Sequence, residues 1–318
     1  MSATRRTFLA TGAAFAASSQ AAFAQTVPHV VVGSSTIDAA SALLSAQHNG
    51  YFTKNGLDVE IIQSNGAASA AAIAGGTMQF AASNIVTLIK AHLQGIGFLM
   101  VAPSSMYVNT NPTQVLCTRT DSGFKTAADL NGKTIAVTAI GDLLSTSTLA
   151  WIAKNGGDAS TVKLVEFPPA AQATALEAGR VQGATLAEPF LSEALGTGTV
   201  RVFGNIFDAI APSFLVAAYF GNSDWMKANP ETVRRFALSM LQGSAFANAH
   251  PDQTLPWLVE FAKLDPAVVK RSRREHFGTS MDPAAIQTEI DALARIKVID
   301  HSFDARDMIS PVVANLRA

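Results

Sequence analysis

Short apolar, β-branched runs alternate along this chain with Ala-rich stretches of helical character. This alternation is typical of an α/β fold with largely parallel sheets. The apolar runs predict strands at 29–32, 59–63, 79–82, 98–102, 115–118, 134–137, 162–167 and 181–186. The Ala-rich stretches predict helices at 41–49, 67–74, 85–94, 143–154 and 170–178.

The pattern changes after residue 224, where the chain becomes almost wholly helical in character. Proline fits the first turn of a helix, because the nitrogen that it leaves without a hydrogen is unpaired there anyway. Four prolines stand where a new helix could begin: Pro230, Pro251, Pro266 and Pro283.

Two segments of the α/β part resemble each other. Residues 72–81 (AIAGGTMQFA) align with residues 175–184 (ALEAGRVQGA). In each, a small-residue helix ends at glycine, which tolerates the left-handed conformation of a helix cap, and a buried strand follows. Any αβ unit could look like this, but the matched glycine and the matched Gln79 and Gln182 favour two related halves.

The first 24 residues carry an export pattern. Arg5 and Arg6 precede an apolar, Ala-rich run that ends in an A-x-A site at residues 22–24. The paired arginines indicate a twin-arginine signal, and cleavage after Ala24 would leave the protein in the periplasm. The alternative is a membrane anchor, but the apolar run is shorter than the roughly 20 residues that span a bilayer.

Composition narrows the possible partners. The chain of 318 residues is 48% hydrophobic and 15% charged, and without its first 24 residues it has 21 basic and 24 acidic side chains. A net charge of −3 does not favour nucleic acid as a partner. Cys117 is the single cysteine, which excludes a disulfide within the chain.

Sequence motifs for other chemistry are weak. Residues 132–134 (GKT) resemble the end of a phosphate-binding loop, but Ala127 replaces the first glycine and a strand follows the lysine. The six histidines are scattered, without the spacing of a metal cluster. We therefore expect no catalytic residues, no cofactor and no metal.

Three motifs in order carry a resemblance to a known family. They are residues 50–60 (GYFTKNGLDVE), residues 129–137 (DLNGKTIAV), and residues 175–181 (ALEAGRV) leading to Glu188-Pro189. Together they resemble the periplasmic substrate-binding proteins of ABC importers of the nitrate, sulfonate and taurine type, which are related to the thiamine-pyrimidine-precursor binders. Gln79 and Gln182 stand where that family usually has aspartate, and we interpret both as positions at strand edges.

The resemblance implies a two-lobed clamshell of type II character, with a ligand cleft between the lobes. Lobe I would comprise residues 27–116 and 220–318, and lobe II residues 117–219. The apolar segments 114–117 and 214–219 are the predicted crossings between them. Each lobe would be a mostly parallel sheet flanked by helices, and the cleft would close around a ligand by a hinge motion.

Candidate ligand-binding residues follow from the rule that ligands bind beyond the carboxyl ends of parallel strands, near helix N-termini. Ser, Thr, Asn and Asp side chains at such places could equally serve only as helix caps. The polar residues at the predicted strand ends are Ser34, Ser35, Thr36, Ser83, Asn84, Asp142, Ser145 and Thr146.

Glu188 is the sharpest single candidate. The family's equivalent glutamate often faces the cleft, where it could accept a hydrogen bond from a ligand amine or ring N–H; alternatively, it serves only the helix start at Pro189. Tyr107, Asn109 and Tyr219 could add aromatic and hydrogen-bonding surface, although buried tyrosines are common in cores. Because no arginine lies in the candidate loops, inorganic nitrate or a bare sulfonate is not strongly indicated.

The predicted function is an extracytoplasmic solute-binding protein that delivers a small organic molecule, such as a sulfonate, a carboxylate or a pyrimidine, to an ABC permease. We expect a monomer. The alternatives are an enzyme on the same fold, of the thiamine-pyrimidine or menaquinone-pathway type, and a periplasmic ligand sensor. The one basic run, residues 270–274, is interpreted as a solvated helix face, with a permease-docking patch as the alternative.

Overall fold

The computed structural model of the protein describes residues 27–64, 66–314 and 316–317. The predicted export signal and its cleavage site after Ala24 lie outside the described residues. Within the described ranges, no helix is both long enough and apolar enough to cross a membrane.

Thirteen strands form three sheets in the described part of the chain. The strands are β1 (His29–Ser34), β2 (Asp58–Gln63), β3 (Phe80–Asn84), β4 (Phe98–Pro103), β5 (Ser105–Val108), β6 (Gln114–Arg119), β7 (Thr134–Val137), β8 (Lys163–Glu166), β9 (Gly183–Ala187), β10 (Val200–Gly204), β11 (Ser213–Leu215), β12 (Ala217–Asn222) and β13 (His276–Phe277).

Twelve α-helices accompany them in the described ranges. They are α1 (Ser41–His48), α2 (Tyr51–Lys54), α3 (Gly66–Ala74), α4 (Ile85–Leu93), α5 (Leu143–Lys154), α6 (Pro169–Glu177), α7 (Phe190–Gly196), α8 (Ser223–Ala228), α9 (Pro230–Ala249), α10 (Pro251–Ala262), α11 (Pro266–Arg271) and α12 (Pro283–Arg295). The four prolines predicted to begin helices each stand at the first position of one, which confirms that prediction.

Two five-stranded sheets define the two lobes. The first has the order β2-β1-β3-β12-β4, with β1, β2 and β3 parallel and β12 antiparallel to its neighbours. The second has the order β10-β6-β9-β7-β8, with β7, β8 and β9 parallel. We call the elements around the first sheet lobe I and those around the second sheet lobe II. The predicted α/β class with parallel-rich, helix-flanked sheets is confirmed.

A small antiparallel sheet, β11-β5-β13, lies where the chain passes between the lobes. Of the apolar segments predicted as crossings, residues 114–117 belong to β6, and residues 214–219 are divided between β11 and β12. The short helix Ile206–Ala209 packs against α5 of lobe II, so the connections just before the two segments are 109–113 and 210–212. The lobe boundaries given above stay a prediction.

The internal repeat has the same structural role in both lobes. Gly76 and Gly179 end their helices in the left-handed conformation, at φ +75° and +70°. After them, the Gln79 side chain accepts a hydrogen bond from the Val31 amide of β1 at 2.8 Å, and the Gln182 side chain accepts one from the Thr134 amide of β7 at 3.2 Å. Each glutamine thus joins the start of one parallel strand, β3 or β9, to the neighbouring parallel strand, β1 or β7, which supports the strand-edge interpretation.

Packing in lobe I is dominated by α9, which lies against α1 and the first sheet. Phe236 of α9 stacks on Phe80 of β3 with ring centroids 4.1 Å apart. The ring of Tyr219 packs edge-on against the ring of Phe236. A Cβ at Gly243 would overlap the carbonyl oxygen of Ala42, so glycine permits the close approach of α9 to α1.

Candidate functional site

The carboxyl ends of the parallel strands in each lobe form a polar edge. In lobe I, β1 ends at Ser34 and β3 ends at Asn84. In lobe II, the loop after β7 leads to Asp142, and Glu188 directly follows β9. Ligands of open α/β sheets bind beyond such ends. We call these two rows of side chains the lobe I edge and the lobe II edge.

The lobe I edge is built from neutral side chains. Asn84 is the N-cap of α4, and its side-chain oxygen accepts a hydrogen bond from the Thr87 amide at 2.9 Å. Ser34 is buried, while Ser35, Thr36 and Ser83 are half-buried. The capping role of Asn84 is therefore present, and its half-buried side chain leaves room for a second contact.

The lobe II edge begins with a tightly bonded turn. Asp142 is the N-cap of α5 and accepts from the Ser145 amide at 2.8 Å, while the Ser145 hydroxyl accepts from the Gly141 amide at 2.8 Å. Burial raises the pKa of Asp142 to about 6, against the opposing effect of its hydrogen bonds and of Lys90. Thr146 is buried in the same first turn.

Glu188 lies where β9 passes into α7. Its carboxylate accepts from the Ser192 hydroxyl at 2.9 Å and from the Ser192 amide at 3.1 Å. Burial raises the pKa of Glu188, while Ser192 and the nearby Arg273 act in the opposite direction. The Glu188 amide donates to the Thr113 carbonyl at 3.0 Å, so this carboxylate lies beside the first crossing between the lobes.

The two candidate tyrosines occupy different surroundings. Tyr107 packs against Phe207 and Phe214, and its hydroxyl donates to Asp208 at 2.6 Å. Tyr219 is fully buried, and among the described residues its hydroxyl has no hydrogen-bond partner. It lies near the hydroxyls of Ser34 and Ser104, which oppose the rise that burial causes in the Tyr219 pKa.

The structure therefore brings some of the predicted residues together and keeps others apart. Ser34 lies beside Tyr219 in lobe I, and Asp142 lies beside Ser145 in lobe II. Tyr107 lies in an aromatic cluster, and its hydroxyl donates a hydrogen bond to Asp208. Participation of these residues in ligand binding stays a prediction.

One residue at the cleft was not identified from the sequence. Lys90 of α4 donates from its ammonium group to the Gly141 carbonyl at 2.5 Å, so it reaches from lobe I to lobe II. In the sequence, it is one charged residue within an amphipathic helix. The one local signal was the glycine turn before Asp142, which contains the Gly141 carbonyl that Lys90 contacts.

The interpretation of the basic run at 270–274 as a solvated helix face holds for Lys270 and Arg271, which are exposed at the end of α11, and is wrong for Arg274. Arg274 forms a buried ion pair with Asp38, with its Nη2 atom 2.6 Å from the carboxylate oxygen. Arg273 donates to the Pro112 carbonyl at 3.0 Å. Arg274 therefore joins the segment after α11 to the turn that follows β1, and Arg273 joins it to the first crossing. Charge alone cannot distinguish such a buried tie from a solvated face.

Glu275 continues this network to lobe II. Its amide donates to Asp38 at 2.7 Å, and its carboxylate lies 3.4 Å from the side-chain nitrogen of Gln114 at the start of β6. Burial raises the pKa of Glu275 to about 8, and the charge of Asp38 acts in the same direction. The raised pKa favours the protonated carboxyl, which can both donate and accept a hydrogen bond.

Cys117 is unsuited to nucleophilic chemistry. It is buried in β6, and burial raises the pKa of its thiol to about 12. A cysteine nucleophile needs a thiolate, which a high pKa withholds near neutral pH. Among the residues that the structure describes, no group of three or more His, Cys, Asp or Glu side chains is arranged to hold a metal ion.

Comparison with known proteins assigns the family. A family model described as NMT1/THI5 like matches residues 39–254, which is more than half of the chain. The chain belongs to the NMT1/THI5-like family. The matched range includes all three sequence motifs, so the resemblance drawn from them is confirmed.

Relatives of this NMT1/THI5-like protein include named binding proteins. A candidate binding protein of Brucella abortus (strain 2308) is 24% identical over 281 residues, covering 83% of this chain and 80% of that one. The structure of the alkanesulfonate-binding protein SsuA of Xanthomonas axonopodis pv. citri, bound to MOPS, matches with a TM-score of 0.72 at 17% identity. The match covers 89% of this chain and 98% of that one. The structure of the nitrate-binding protein NrtA of Synechocystis PCC 6803 matches with a TM-score of 0.73 at 14% identity, and the match covers 90% of this chain and 86% of that one. Both structural likenesses show the periplasmic-binding-protein fold.

Proposed function

We propose that this protein is the solute-binding component of an ABC importer and that it captures a small organic molecule between the lobe I and lobe II edges. Membership of the NMT1/THI5-like family and the binding-protein fold support this function. The observation that carries the location of the site is the pair of polar strand ends at which α4 and α5 begin, which the hydrogen bond from Lys90 to Gly141 brings close together. The partners are the ligand and the importer's permease.

The two edges favour a ligand that carries an N–H donor as well as acceptor atoms. The lobe II edge offers the buried carboxyl groups of Asp142 and Glu188, which accept hydrogen bonds. The lobe I edge offers hydroxyl and amide groups, and helix N-termini add donors on both sides. A bare inorganic anion would meet two carboxyl groups on one side, and like charge disfavours it. Heterocycles such as pyrimidines, and organic acids with an N–H group, fit this arrangement better.

The proposed place of action is the periplasm, with the protein as a monomer after removal of residues 1–24. The paired arginines at 5 and 6 support a twin-arginine signal. Replacement of both by lysine keeps the charge and removes the guanidinium groups that such recognition requires. We expect the double variant to stay in the cytoplasm. Undiminished periplasmic protein after cell fractionation would favour general secretion instead.

A thermal-shift panel tests the binding function. The probes are nitrate, MOPS, benzoate, and thymine as a pyrimidine, each over a range of concentrations. A ligand that binds only the folded state raises the melting temperature, by an amount that grows with its concentration relative to Kd. We expect the pyrimidine to raise it more than nitrate does. A larger shift with nitrate than with any organic probe would contradict the proposed ligand class.

A further inference from the structure

Lys90 makes a hydrogen bond that joins the two lobes at the cleft. The residue lies in α4 of lobe I, is half-buried, and places its ammonium group 2.5 Å from the carbonyl oxygen of Gly141 in lobe II. Charged donors form stronger hydrogen bonds than neutral ones. The contact adds a charged hydrogen bond to the links between the lobes at the crossings, at Glu275 and Gln114, and between α11 and α7.

The acceptor end of this link is held rigidly in lobe II. The Ile140 amide donates to Glu166 at 2.7 Å, and the Gly141 amide donates to the Ser145 hydroxyl at 2.8 Å. Gly141 has a φ of +82°, a conformation that side chains rarely adopt, so the turn depends on glycine. With its neighbouring groups fixed to α5 and β8, the Gly141 carbonyl moves only with lobe II.

The donor end is held equally firmly in lobe I. Helix α4 begins at the Asn84 cap, and its Ile85 amide donates to the Val216 carbonyl at 3.0 Å. Ile85, Leu88 and Ile89 of the same helix are buried in the lobe I core. A separation of the lobes that exceeds the reach of the flexible lysine side chain must therefore break the Lys90 bond.

Electrostatics favours the same pairing. The Asp142 carboxylate follows Gly141 directly, and its charge raises the pKa of Lys90 against the lowering that burial causes. Lys90 in turn opposes the effect of burial on Asp142. Opening of the cleft would separate these opposite charges.

We propose that Lys90 is a positioning residue that holds lobe I against lobe II across the cleft, so that loss of its ammonium group opens the ligand-free protein. This role goes beyond the proposed binding function and concerns the protein without ligand. It therefore stands or falls separately from the identity of the ligand.

Lys154 supplies a matched control within the same chain. Its ammonium group donates to the Asp208 carbonyl at 2.8 Å, but both partners belong to lobe II, because the short helix Ile206–Ala209 packs against α5 itself. Lys90 and Lys154 thus make the same chemical contact, one between lobes and one within a lobe. Replacement of each by methionine removes the charge and preserves most of the apolar stem.

The experiment compares ligand-free wild type with Lys90→Met, Lys90→Gln, Lys90→Arg and Lys154→Met. Small-angle scattering reports the radius of gyration, and hydrogen exchange reports the protection of amides in residues 139–146. We expect Lys90→Met and Lys90→Gln to enlarge the radius of gyration and to speed exchange in this turn about tenfold, as for loss of a charged hydrogen bond. Lys90→Arg and Lys154→Met should behave as wild type.

Two outcomes would overturn the proposal. One is a wild-type radius of gyration and wild-type exchange for both Lys90→Met and Lys90→Gln. The other is an equal expansion for Lys154→Met, since that would show a general effect of a lost lysine. Melting curves of all five proteins establish that each is folded when scattering is measured.

Discussion

The two lobes begin a helix at the cleft in the same way, but with different chemistry. In lobe I, Asn84 caps α4 by accepting from the amide three residues later, at 2.9 Å. In lobe II, Asp142 caps α5 by accepting from the amide three residues later, at 2.8 Å. Asparagine and aspartate are nearly equivalent as caps. Capping alone therefore does not require the negative charge of Asp142.

The charge at the lobe II edge carries a cost, because burial raises the pKa of Asp142 to about 6. Glu188 shows the same feature, with a pKa raised by burial despite its two bonds from Ser192. Two groups that are costly to ionise lie on one side of the cleft, whereas the described polar side chains of the lobe I edge are neutral. We infer that lobe II supplies the acceptors that orient a ligand and that lobe I supplies a neutral face.

The largest effect should come from making the two caps alike with Asp142→Asn. The folded state holds the pKa of Asp142 at about 6, above the ordinary 3.8, so folding favours its protonated form. This contribution to stability is complete below pH 3.8 and is lost as the pH rises to about 6. Between pH 3.8 and about 6, the free energy of unfolding of the wild type should therefore fall with rising pH. The slope for Asp142→Asn should be smaller by on the order of 1.4 kcal/mol per pH unit.

Urea denaturation at pH 4, 5, 6 and 7 measures the free energy of unfolding of both proteins. Relative to its value at low pH, that of the wild type should fall by up to about 3 kcal/mol more than that of the variant by pH 7. The mirror variant, Asn84→Asp, keeps the cap of α4 and serves as the control. Parallel pH profiles for wild type and Asp142→Asn would show that the Asp142 carboxyl titrates normally, and would remove the contrast between the edges.

The next effect concerns ligand affinity and Glu188. If this carboxylate accepts a hydrogen bond from the ligand, Glu188→Gln should weaken binding of the best compound in the panel by about ten- to a hundredfold, because a charge-assisted bond is worth about 1.5 to 3 kcal/mol. Calorimetry measures the affinity, and a melting curve on the same sample checks the fold.

Glu193→Gln is the matched control, since Glu193 is an exposed glutamate on the same helix α7. It should leave affinity unchanged. If Glu188 serves only the start of α7, its variant would bind normally and lose at most about 1 kcal/mol of stability. That outcome would take Glu188 out of the ligand site.

The smallest effect is expected at the lobe I edge. Asn84→Ala removes the side-chain oxygen that accepts from Thr87, so the free energy of unfolding should fall by about 1 kcal/mol. Chemical denaturation measures the loss, and Asn84→Asp should retain the cap. A much greater loss, or an affinity loss as large as that of Glu188→Gln, would contradict the view that lobe I supplies mainly a neutral face.

Local signals predicted much of the fold. β7 and α5 have the predicted bounds, and the matched glutamines of the internal repeat make matched hydrogen bonds. The strands that were missed are short or pair only over a long sequence distance, as β13 does with β5. Periodicity in a short window carries no information on such pairing.

The site was predictable only in part. Strand ends and caps are written in the local sequence, so the positions of Asn84 and Asp142 followed from it. Lys90 and Arg274 were not identified, because their partners lie 51 and 236 residues away along the chain. From the sequence alone, a charged side chain is expected to be solvated, and only the fold shows which group it contacts.

The decisive measurement is a crystal structure of the protein with its tightest-binding panel compound. We expect the compound to lie between the two edges, with an N–H group within hydrogen-bond distance of Glu188 or Asp142 and with Ser35, Ser83 or Asn84 on its other side. A compound bound elsewhere, for example in the groove of about 340 Å³ beside Asn111, Asn248 and His276, would contradict it.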